Sequence, residues 1–183
     1  MLQTAFHPFP ELKTDRLLLR RITMDDAAAV LFLRSDKDVM RFIDREPAKS
    51  LKDAEDFIKR INKDIDDNVV IQWAITLMDN PGKLIGTICL WQFQQEHYRA
   101  ETGYVLMPDQ WRKGIMKEAL LKVLDYGFKT LGLHSIEAQI SPGNSASAAL
   151  LESTGFTREG YFKEDFYFRG NFLDTAVYSK LNI

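Results

Sequence analysis

The fold is decided by a junction that reads Gln110-Trp111-Arg112-Lys113-Gly114-Ile115-Met116-Lys117-Glu118-Ala119. Residues 99–106 before it are β-rich and end ahead of Pro108, and an apolar stripe with helical spacing continues after it as far as Leu131. The junction therefore joins a strand to a helix. Three cations stand at the helix start, where the helix dipole disfavours them, and Gly114 permits close backbone approach. This pattern is typical of an anion site, and equally of a solvated basic turn.

The chain on either side of this junction alternates between strand and helix patterns. Ser50-Leu51-Lys52-Asp53 has the form of a helix cap, and the apolar residues after it recur at spacings of three and four. The predicted strands cover 16–22, 69–78, 84–93, 99–106, 134–140 and two stretches around 169–171, and the predicted helices cover 27–33, 51–65, 116–131 and 144–154. This order predicts a mixed α/β domain on one central sheet, with a parallel strand pair between residues 100 and 140.

The composition excludes several classes of protein. The chain has 183 residues and a formal charge of −2, so a dedicated nucleic-acid binder is disfavoured. A single cysteine, Cys89, permits no intrachain disulfide, and the three histidines show no zinc-ligand spacing. The longest apolar run, 27–33, is far shorter than the roughly 20 residues that cross a bilayer. No signal peptide is recognisable, so we expect a cytoplasmic protein without a metal ion.

Two further segments carry candidate functional residues. Glu101 lies in the strand before the junction, and Gly103 interrupts that strand, as glycine does at a bulge or where another molecule approaches the backbone. Glu101 is therefore a candidate base, or alternatively a carboxylate at a wet strand end. Asn144 precedes the last helix, with Ser147 one turn into it. For this pair, capping with a satisfied hydroxyl is the favoured interpretation.

Four segments in this order resemble the GNAT superfamily of acyl-CoA N-acyltransferases. They are Ala-Glu-Thr-Gly-Tyr at 100–104, Trp-Arg-Lys-Gly-Ile-Met-Lys-Glu-Ala at 111–119, Asn-Ser-Ala-Ser at 144–147 and Leu-Leu-Glu-Ser-Thr-Gly-Phe at 150–156. The likeness is greatest to the branch that acetylates the N-termini of ribosomal proteins. It implies one acyltransferase domain over 1–183, while Pro8 and Pro10 in the opening segment indicate a loose lead-in over 1–13. It also implies a mixed, mostly antiparallel sheet that is flanked by helices and splays at its fourth strand, 99–106.

The resemblance also implies where acetyl-CoA binds. Backbone groups of Tyr104, Val105 and Leu106 would pair with the pantetheine amides, and Asn144 would hydrogen-bond the same arm. The pyrophosphate would lie on the N–H groups of the junction, whose residues are Arg112, Lys113, Gly114, Ile115, Met116 and Lys117. Trp111 and Met116 depart from the superfamily pattern, in which Gln or Arg stands first and Gly or Ala last.

The chemistry favours direct attack by an amine on the bound thioester. A protein α-amine has a pKa near 8, so roughly a tenth to a fifth of it is neutral at pH 7. Glu101 is the candidate base, acting directly or through an ordered water. The resemblance assigns protonation of the thiolate to Ser147, which also stands among the cofactor contacts, or to a tyrosine. Cys89, among apolar and β-branched neighbours, is predicted to be inert.

The acceptor is predicted to be a protein N-terminal amine. The alternatives are a small amine, such as a polyamine, amino acid or aminoglycoside, and a non-catalytic acyl-CoA-binding module. The acids Asp36, Asp38, Asp44 and Glu46 indicate either attraction of a cationic acceptor or a solvated loop. The aromatic tail, 162–172, indicates either core packing or a homodimer surface. No nucleic-acid or membrane partner is expected.

Overall fold

The computed structural model describes residue 2 and residues 4–183, and its strands form one mixed sheet. The strands are β1 (Leu12–Lys13), β2 (Leu17–Arg20), β3 (Ile71–Leu77), β4 (Asn80–Gln94), β5 (Arg99–Leu106), β6 (Ser135–Ile140), β7 (Thr157–Phe168) and β8 (Asn171–Leu181). Their order across the sheet is β1-β2-β3-β4-β5-β6-β8-β7. Every pair is antiparallel except β5 and β6, which confirms the predicted parallel pair.

Four helices flank the sheet, and their ends follow the predicted caps. They are α1 (Ala27–Ser35), α2 (Leu51–Asp66), α3 (Ile115–Asp125), which continues as a π-turn over Tyr126–Thr130, and α4 (Ser145–Ser153). Short 3-10 turns cover Met24–Asp26, Met40–Phe42, Gln95–His97 and Pro108–Gln110. At α2, the Ser50 hydroxyl accepts from the Asp53 N–H and the Asp53 carboxylate accepts from the Ser50 N–H, which is the predicted capping box.

The helices cover opposite faces of the sheet. On one face, Val30 of α1 and Ile58 of α2 pack with Leu84 of β4. On the other, Leu120 and Val123 of α3 pack in the core that contains Leu90 and Ala100. Because neighbouring side chains along a strand point to opposite faces, β5 presents Glu101 towards α1 and α2 and Tyr104 towards α3 and α4.

The sheet splays where the function is predicted to lie. Strand β5 pairs with β6 only over Arg99–Glu101, opposite Ser135–Glu137. Beyond Glu101 the two strands separate while β5 continues to Leu106. The predicted splay is thereby confirmed. The splayed strand is fifth in chain order, however, because the lead-in supplies β1.

The lead-in is not loose, so that prediction is wrong for the residues described between 1 and 13. Phe6 is fully buried, and its N–H donates to Asn68 Oδ1 at 2.8 Å. The indole N–H of Trp73 donates to the Pro10 carbonyl at 2.7 Å. Residues 1 and 3 lie outside the described part. The segment is held because its apolar side chains complete the core beside β3.

The hairpin turn is shorter than the predicted 79–83. Leu77 pairs with Asn80, which leaves only Met78 and Asp79 in the turn, and the residues that follow extend β4. Irregular pairing between Ile75 and Leu77 takes up the change of register.

Candidate active site

A cavity of about 940 Å³ lies at the gap between β5 and β6. Glu101, Tyr104 and Ser147 all line it, so it draws residues from both faces of the sheet. Its walls come from α1, α2, β4, β5, β6, the start of α4 and the β7–β8 hairpin. Opening a sheet in this way exposes unpaired backbone groups inside a concave site, which suits an elongated polar ligand.

The backbone of β5 presents alternate residues to this gap. The Met107 N–H donates to the Ile85 carbonyl at 2.8 Å, and along an antiparallel pair this bonding recurs at every second residue. Val105 therefore directs its backbone groups towards β4, whereas Tyr104 and Leu106 direct theirs towards the gap. The Leu106 carbonyl already accepts from the indole N–H of Trp111 at 2.8 Å. Of the three predicted pantetheine contacts, Tyr104 is the one whose backbone groups face the gap and are not taken by Trp111.

The junction before α3, residues 112–117, has the geometry of an anion site and is called the cradle below. Gly114 has φ +75°, a left-handed conformation in which glycine is unstrained. Within the described chain, the N–H groups of residues 112–117 donate no hydrogen bond to protein. The side chains of Arg112, Lys113 and Lys117 are exposed around them. Free N–H groups, a positive helix end and cations together fit a pyrophosphate.

Arg16 holds this cradle in place, which the sequence alone did not predict. Its guanidinium donates to the Lys113 carbonyl at 3.0 Å and to Glu118 Oε2 at 2.6 Å. Thr14 also donates to Glu118, and these contacts hold the pKa of that carboxyl below its usual range even though partial burial opposes them. Glu118 thereby supplies the acidic group that the start of α3 favours.

Glu101 is a buried carboxylate with few partners. Its residue is 8% exposed, and the Gln92 amide donates to its Oε2 at 3.1 Å. Burial raises the pKa of Glu101 to about 7, and the negative charge of Glu137 on β6 adds to the rise. Glu137 is itself paired with Arg99. A carboxylate with a pKa near neutrality is suited to accept and release a proton.

Tyr104 and Ser147 form a hydroxyl pair on the opposite side of the gap. Tyr104 Oη lies 2.6 Å from Ser147 Oγ. Burial raises the pKa of Tyr104 to about 12, so its proton is retained at neutral pH. The resemblance left the proton donor as Ser147 or a tyrosine, and the structure brings both together. Tyr161 and Tyr167 are instead half or more exposed on β7, where Tyr161 bonds to Asp174.

Asn144 caps α4 as predicted. Its Oδ1 accepts from the Ser147 N–H at 3.1 Å, which confirms the capping interpretation. The residue also lines the cavity. Its amide N–H₂ group makes no hydrogen bond within the described residues, so the same side chain retains two donors for a ligand.

Cys89 lies on β4 opposite Gly103, with its Sγ 3.4 Å from the Gly103 carbonyl. Burial raises the pKa of this thiol to about 12. The thiol therefore stays protonated at neutral pH and is a poor nucleophile.

The acidic loop and the aromatic tail take different roles. The Glu46 carboxylate accepts hydrogen bonds from Nε and Nη2 of Arg169, at 2.9 and 2.7 Å. The Asp36 carboxylate accepts hydrogen bonds from the backbone N–H groups of Asp38 and Val39. Those two acids are therefore occupied within the protein. Several aromatic side chains of the tail are 43–64% exposed, so core packing is the wrong interpretation for them: Phe162, Phe166, Tyr167 and Phe172.

The described residues contain no cluster of three or more His, Cys, Asp or Glu side chains arranged to hold a metal ion. Among the same residues, no helix has the length and apolar character needed to span a bilayer.

Comparison with known proteins places this site in a wider context. Residues 16–157 match the family described as Acetyltransferase (GNAT) domain. The uncharacterized N-acetyltransferase YoaA of Bacillus subtilis is 40% identical over 171 residues, which cover 93% of this chain and 96% of the relative.

Two solved structures are similar in fold across nearly the whole chain. Ribosomal-protein-S5-alanine acetyltransferase from Vibrio fischeri has a TM-score of 0.79 at 25% identity, covering 94% of this chain and 97% of its own. Spermidine N-acetyltransferase from Vibrio cholerae, in complex with CoA and spermine, has a TM-score of 0.80 at 27% identity, covering 92% and 96%.

Proposed function

The chain belongs to the GNAT family of N-acetyltransferases, and we propose that its acceptor is the α-amine at the N-terminus of a protein, of the ribosomal-protein type. Acetyl-CoA, when bound, supplies an acetyl group activated as a thioester. Family membership makes the chain an enzyme, so the alternative of a non-catalytic binding module is set aside. One observation supports acetyl transfer to an amine: a near-neutral carboxylate and a hydroxyl pair face the same gap from opposite faces of the sheet. The likeness to a ribosomal-protein-S5-alanine acetyltransferase supports the choice of a protein α-amine as the acceptor.

The family resemblance and the geometry of the gap support a set of contacts for acetyl-CoA. The pyrophosphate would bind to the backbone N–H groups of the cradle, which belong to Arg112, Lys113, Gly114, Ile115, Met116 and Lys117. The backbone of Tyr104 and the amide of Asn144 would bind the pantetheine arm, while Val105 and Leu106 would contribute the walls of the gap. Arg16 would act as a positioning residue, since it holds the cradle without facing the gap.

The proton transfers follow from the two faces of the gap. Glu101 would accept the proton from the acceptor amine on the α1–α2 face, directly or through a water. Ser147 Oγ would donate a proton to the departing thiolate on the opposite face and would recover one from Tyr104 Oη, and solvent entering the open gap would reprotonate Tyr104 before the next turnover. Backbone N–H groups of the splayed strand would stabilise the negative charge that develops on the acyl oxygen.

A thiol-release assay tests this function. Wild-type protein with acetyl-CoA should release thiol in the presence of peptides that carry a free N-terminus, and N-terminally blocked peptides should give none. Spermidine belongs in the same panel because a spermidine N-acetyltransferase is among the structural neighbours, which favours a polyamine as the second candidate acceptor. Absence of a thermal shift with saturating acetyl-CoA would contradict the proposal.

Replacing Asn144 separates its capping role from cofactor binding. We expect Asn144→Ala to weaken acetyl-CoA binding about tenfold and to destabilise the protein by about 1 kcal/mol, since it removes both an amide donor and a helix cap. Asn144→Asp is the matched control because aspartate keeps the cap but loses the donors. Calorimetry should show weakened acetyl-CoA binding for both variants. Wild-type affinity of Asn144→Asp would reduce Asn144 to a helix cap.

Replacing Cys89 tests whether an acetyl-cysteine intermediate is used. Cys89→Ser should keep kcat within about threefold of wild type, because a thiol held protonated by burial contributes no nucleophile and serine can still donate to the Gly103 carbonyl. Steady-state thiol release and the melting temperature should be measured together. A large loss of kcat at unchanged melting temperature would restore the covalent route.

Three expectations that do not concern the gap stay predictions. The exposed aromatic side chains of the β7–β8 hairpin support a homodimer surface, since monomers rarely leave large apolar patches uncovered. We also keep the assignment of 1–183 to a single acyltransferase domain, and the cytoplasm as its compartment.

A further inference from the structure

Three arginines line the acceptor side of the cavity. They are Arg34 from α1, Arg45 from the loop between α1 and α2, and Arg60 from α2. The Arg34 guanidinium is half-buried and lies over the Phe57 ring, with Cζ 4.1 Å from the ring centroid. The Arg60 Cζ lies 5.6 Å from the centroid of the same ring. Phe57 thus acts as a platform that directs Arg34 along the cavity wall.

None of these arginines forms an ion pair within 4.0 Å in the described part of the chain. A half-buried guanidinium without an acidic partner is uncommon, because removing the charge from water is unfavourable unless another group compensates it. Burial, together with repulsion from Arg45 and Arg60, lowers the pKa of Arg34 to about 10. The wall therefore carries concentrated positive charge that the protein itself leaves uncompensated.

The carboxylates that line the same cavity do not neutralise this charge. Asp174 accepts from Tyr161 and from the Glu164 N–H. Burial raises the pKa of Asp44, with no cation opposing the rise. The nearby charge that acts on Glu101 is that of Glu137, and Asp64 makes no ion pair within the described chain. In the described chain Asp44 and Asp64 also lack ion pairs, so the cavity holds unpaired charge of both signs. A carboxylate on the acceptor would complete the arginine wall, whereas a polyamine would have to bind at the two acids.

From this wall, and on the basis of the function proposed above, we infer that the acceptor carries a carboxylate close to its reactive amine and that Arg34 binds it. The planar guanidinium can bind a carboxylate through two parallel hydrogen bonds, and Arg45 and Arg60 add attraction at longer range. For a protein acceptor, the carboxylate belongs to an acidic side chain near the N-terminus. The free α-carboxylate of an amino acid is the other source of the same group.

Matched acceptors and Arg34 variants test this inference. The acceptors are an Ala-Glu peptide, the same peptide with Gln in place of Glu, free glutamate and spermidine, each assayed for thiol release at saturating acetyl-CoA. Wild type should use the Glu peptide with kcat/KM about tenfold or more above the Gln peptide. Arg34→Gln should remove that preference, so that the variant uses the Glu and Gln peptides with equal kcat/KM. Arg34→Lys should keep part of it, because lysine retains the charge but not the two-pronged geometry.

Arg41→Gln is the control, since Arg41 lies over Phe42 and outside the lining of this cavity. It should leave the preference unchanged, and melting temperatures should show that every variant is folded. Equal use of both peptides by wild type, a preference for spermidine, or a preference that survives Arg34→Gln would overturn the inference. If wild type uses free glutamate better than the Glu peptide, the carboxylate site stands, but the carboxylate then comes from an amino acid and not from a peptide.

Binding measurements distinguish failure of this inference from failure of the proposed function. Calorimetric titration of the Glu and Gln peptides into CoA-saturated protein reports the carboxylate site without any turnover. Tighter binding of the Glu peptide that is lost in Arg34→Gln supports the site even if no thiol is released, in which case only the proposed reaction fails. If both peptides bind equally and are acetylated normally, the carboxylate site at Arg34 is overturned while the proposed acetyl transfer stands.

Discussion

Glu101→Gln is expected to lower kcat by about 10²- to 10⁴-fold with acetyl-CoA affinity unchanged. A rate loss of this size is typical when a positioned general base is removed. Glutamine keeps the size of the side chain, but its amide accepts no proton at neutral pH. The carboxyl has a pKa of about 7, so the basic form is present above pH 7 and is lost as the pH falls through it. Wild-type kcat/KM should therefore fall through pH 7 on the acidic side.

The slope of this profile makes the test quantitative. At low pH both Glu101 and the acceptor amine must lose a proton, so log kcat/KM should rise with a slope of about two in wild type and about one in Glu101→Gln. Glu137→Gln is the control: removing the neighbouring negative charge should move the acidic limb to lower pH without abolishing it. An unchanged slope in Glu101→Gln would transfer the role of base to another group or to water.

Removal of either hydroxyl of the Tyr104–Ser147 pair should lower kcat by about 10- to 100-fold. A thiol of pKa near 8.5 is already a fair leaving group, so the benefit of protonating it is modest. Because the pair acts as one relay, Tyr104→Phe combined with Ser147→Ala should be no slower than the slower single variant. With the pKa of Tyr104 at about 12, this donor should produce no basic limb below about pH 10.

The thermal stability of the two single variants and the double variant provides an internal control. Each single change leaves one buried hydroxyl without its partner, which costs about 1–3 kcal/mol, while the double variant removes both. Melting temperatures should therefore fall in the single variants and recover partly in the double one. Full activity of Tyr104→Phe with loss in Ser147→Ala would leave Ser147 acting alone, and full activity of both would remove the relay from the mechanism.

Most of the fold was predictable because its signals are local. The cap at Ser50 and the apolar spacing after it placed α2, and the strand over Arg99–Leu106 matches its prediction in full. The errors arose where distant contacts override local patterns. Phe6 and the rest of the lead-in are held by Asn68 and Trp73, which lie more than 60 residues away in the chain.

The candidate site divides in the same way. Glu101, Ser147, Asn144 and the cradle were identified as residue types in a recognisable order. Their relations were not: Tyr104 was predicted to contribute its backbone, yet its hydroxyl lies against Ser147, 43 positions further along the chain. The contact of Arg16 with Glu118 spans 102 positions, and no periodicity or cap signals it.

The sequence by itself determined most of the elements, the position of the basic junction at the start of α3 and the absence of a second thiol, because these depend on neighbouring residues and on composition. Only the tertiary structure decided that Glu101 and Ser147 face one gap from opposite sides, that Tyr104 is the tyrosine beside Ser147, and that Arg34 lies unpaired over Phe57. These arrangements depend on where β5 parts from β6 and on which helix packs on which face. Both are set by burial of apolar surface across the whole chain, which no local stretch of sequence encodes.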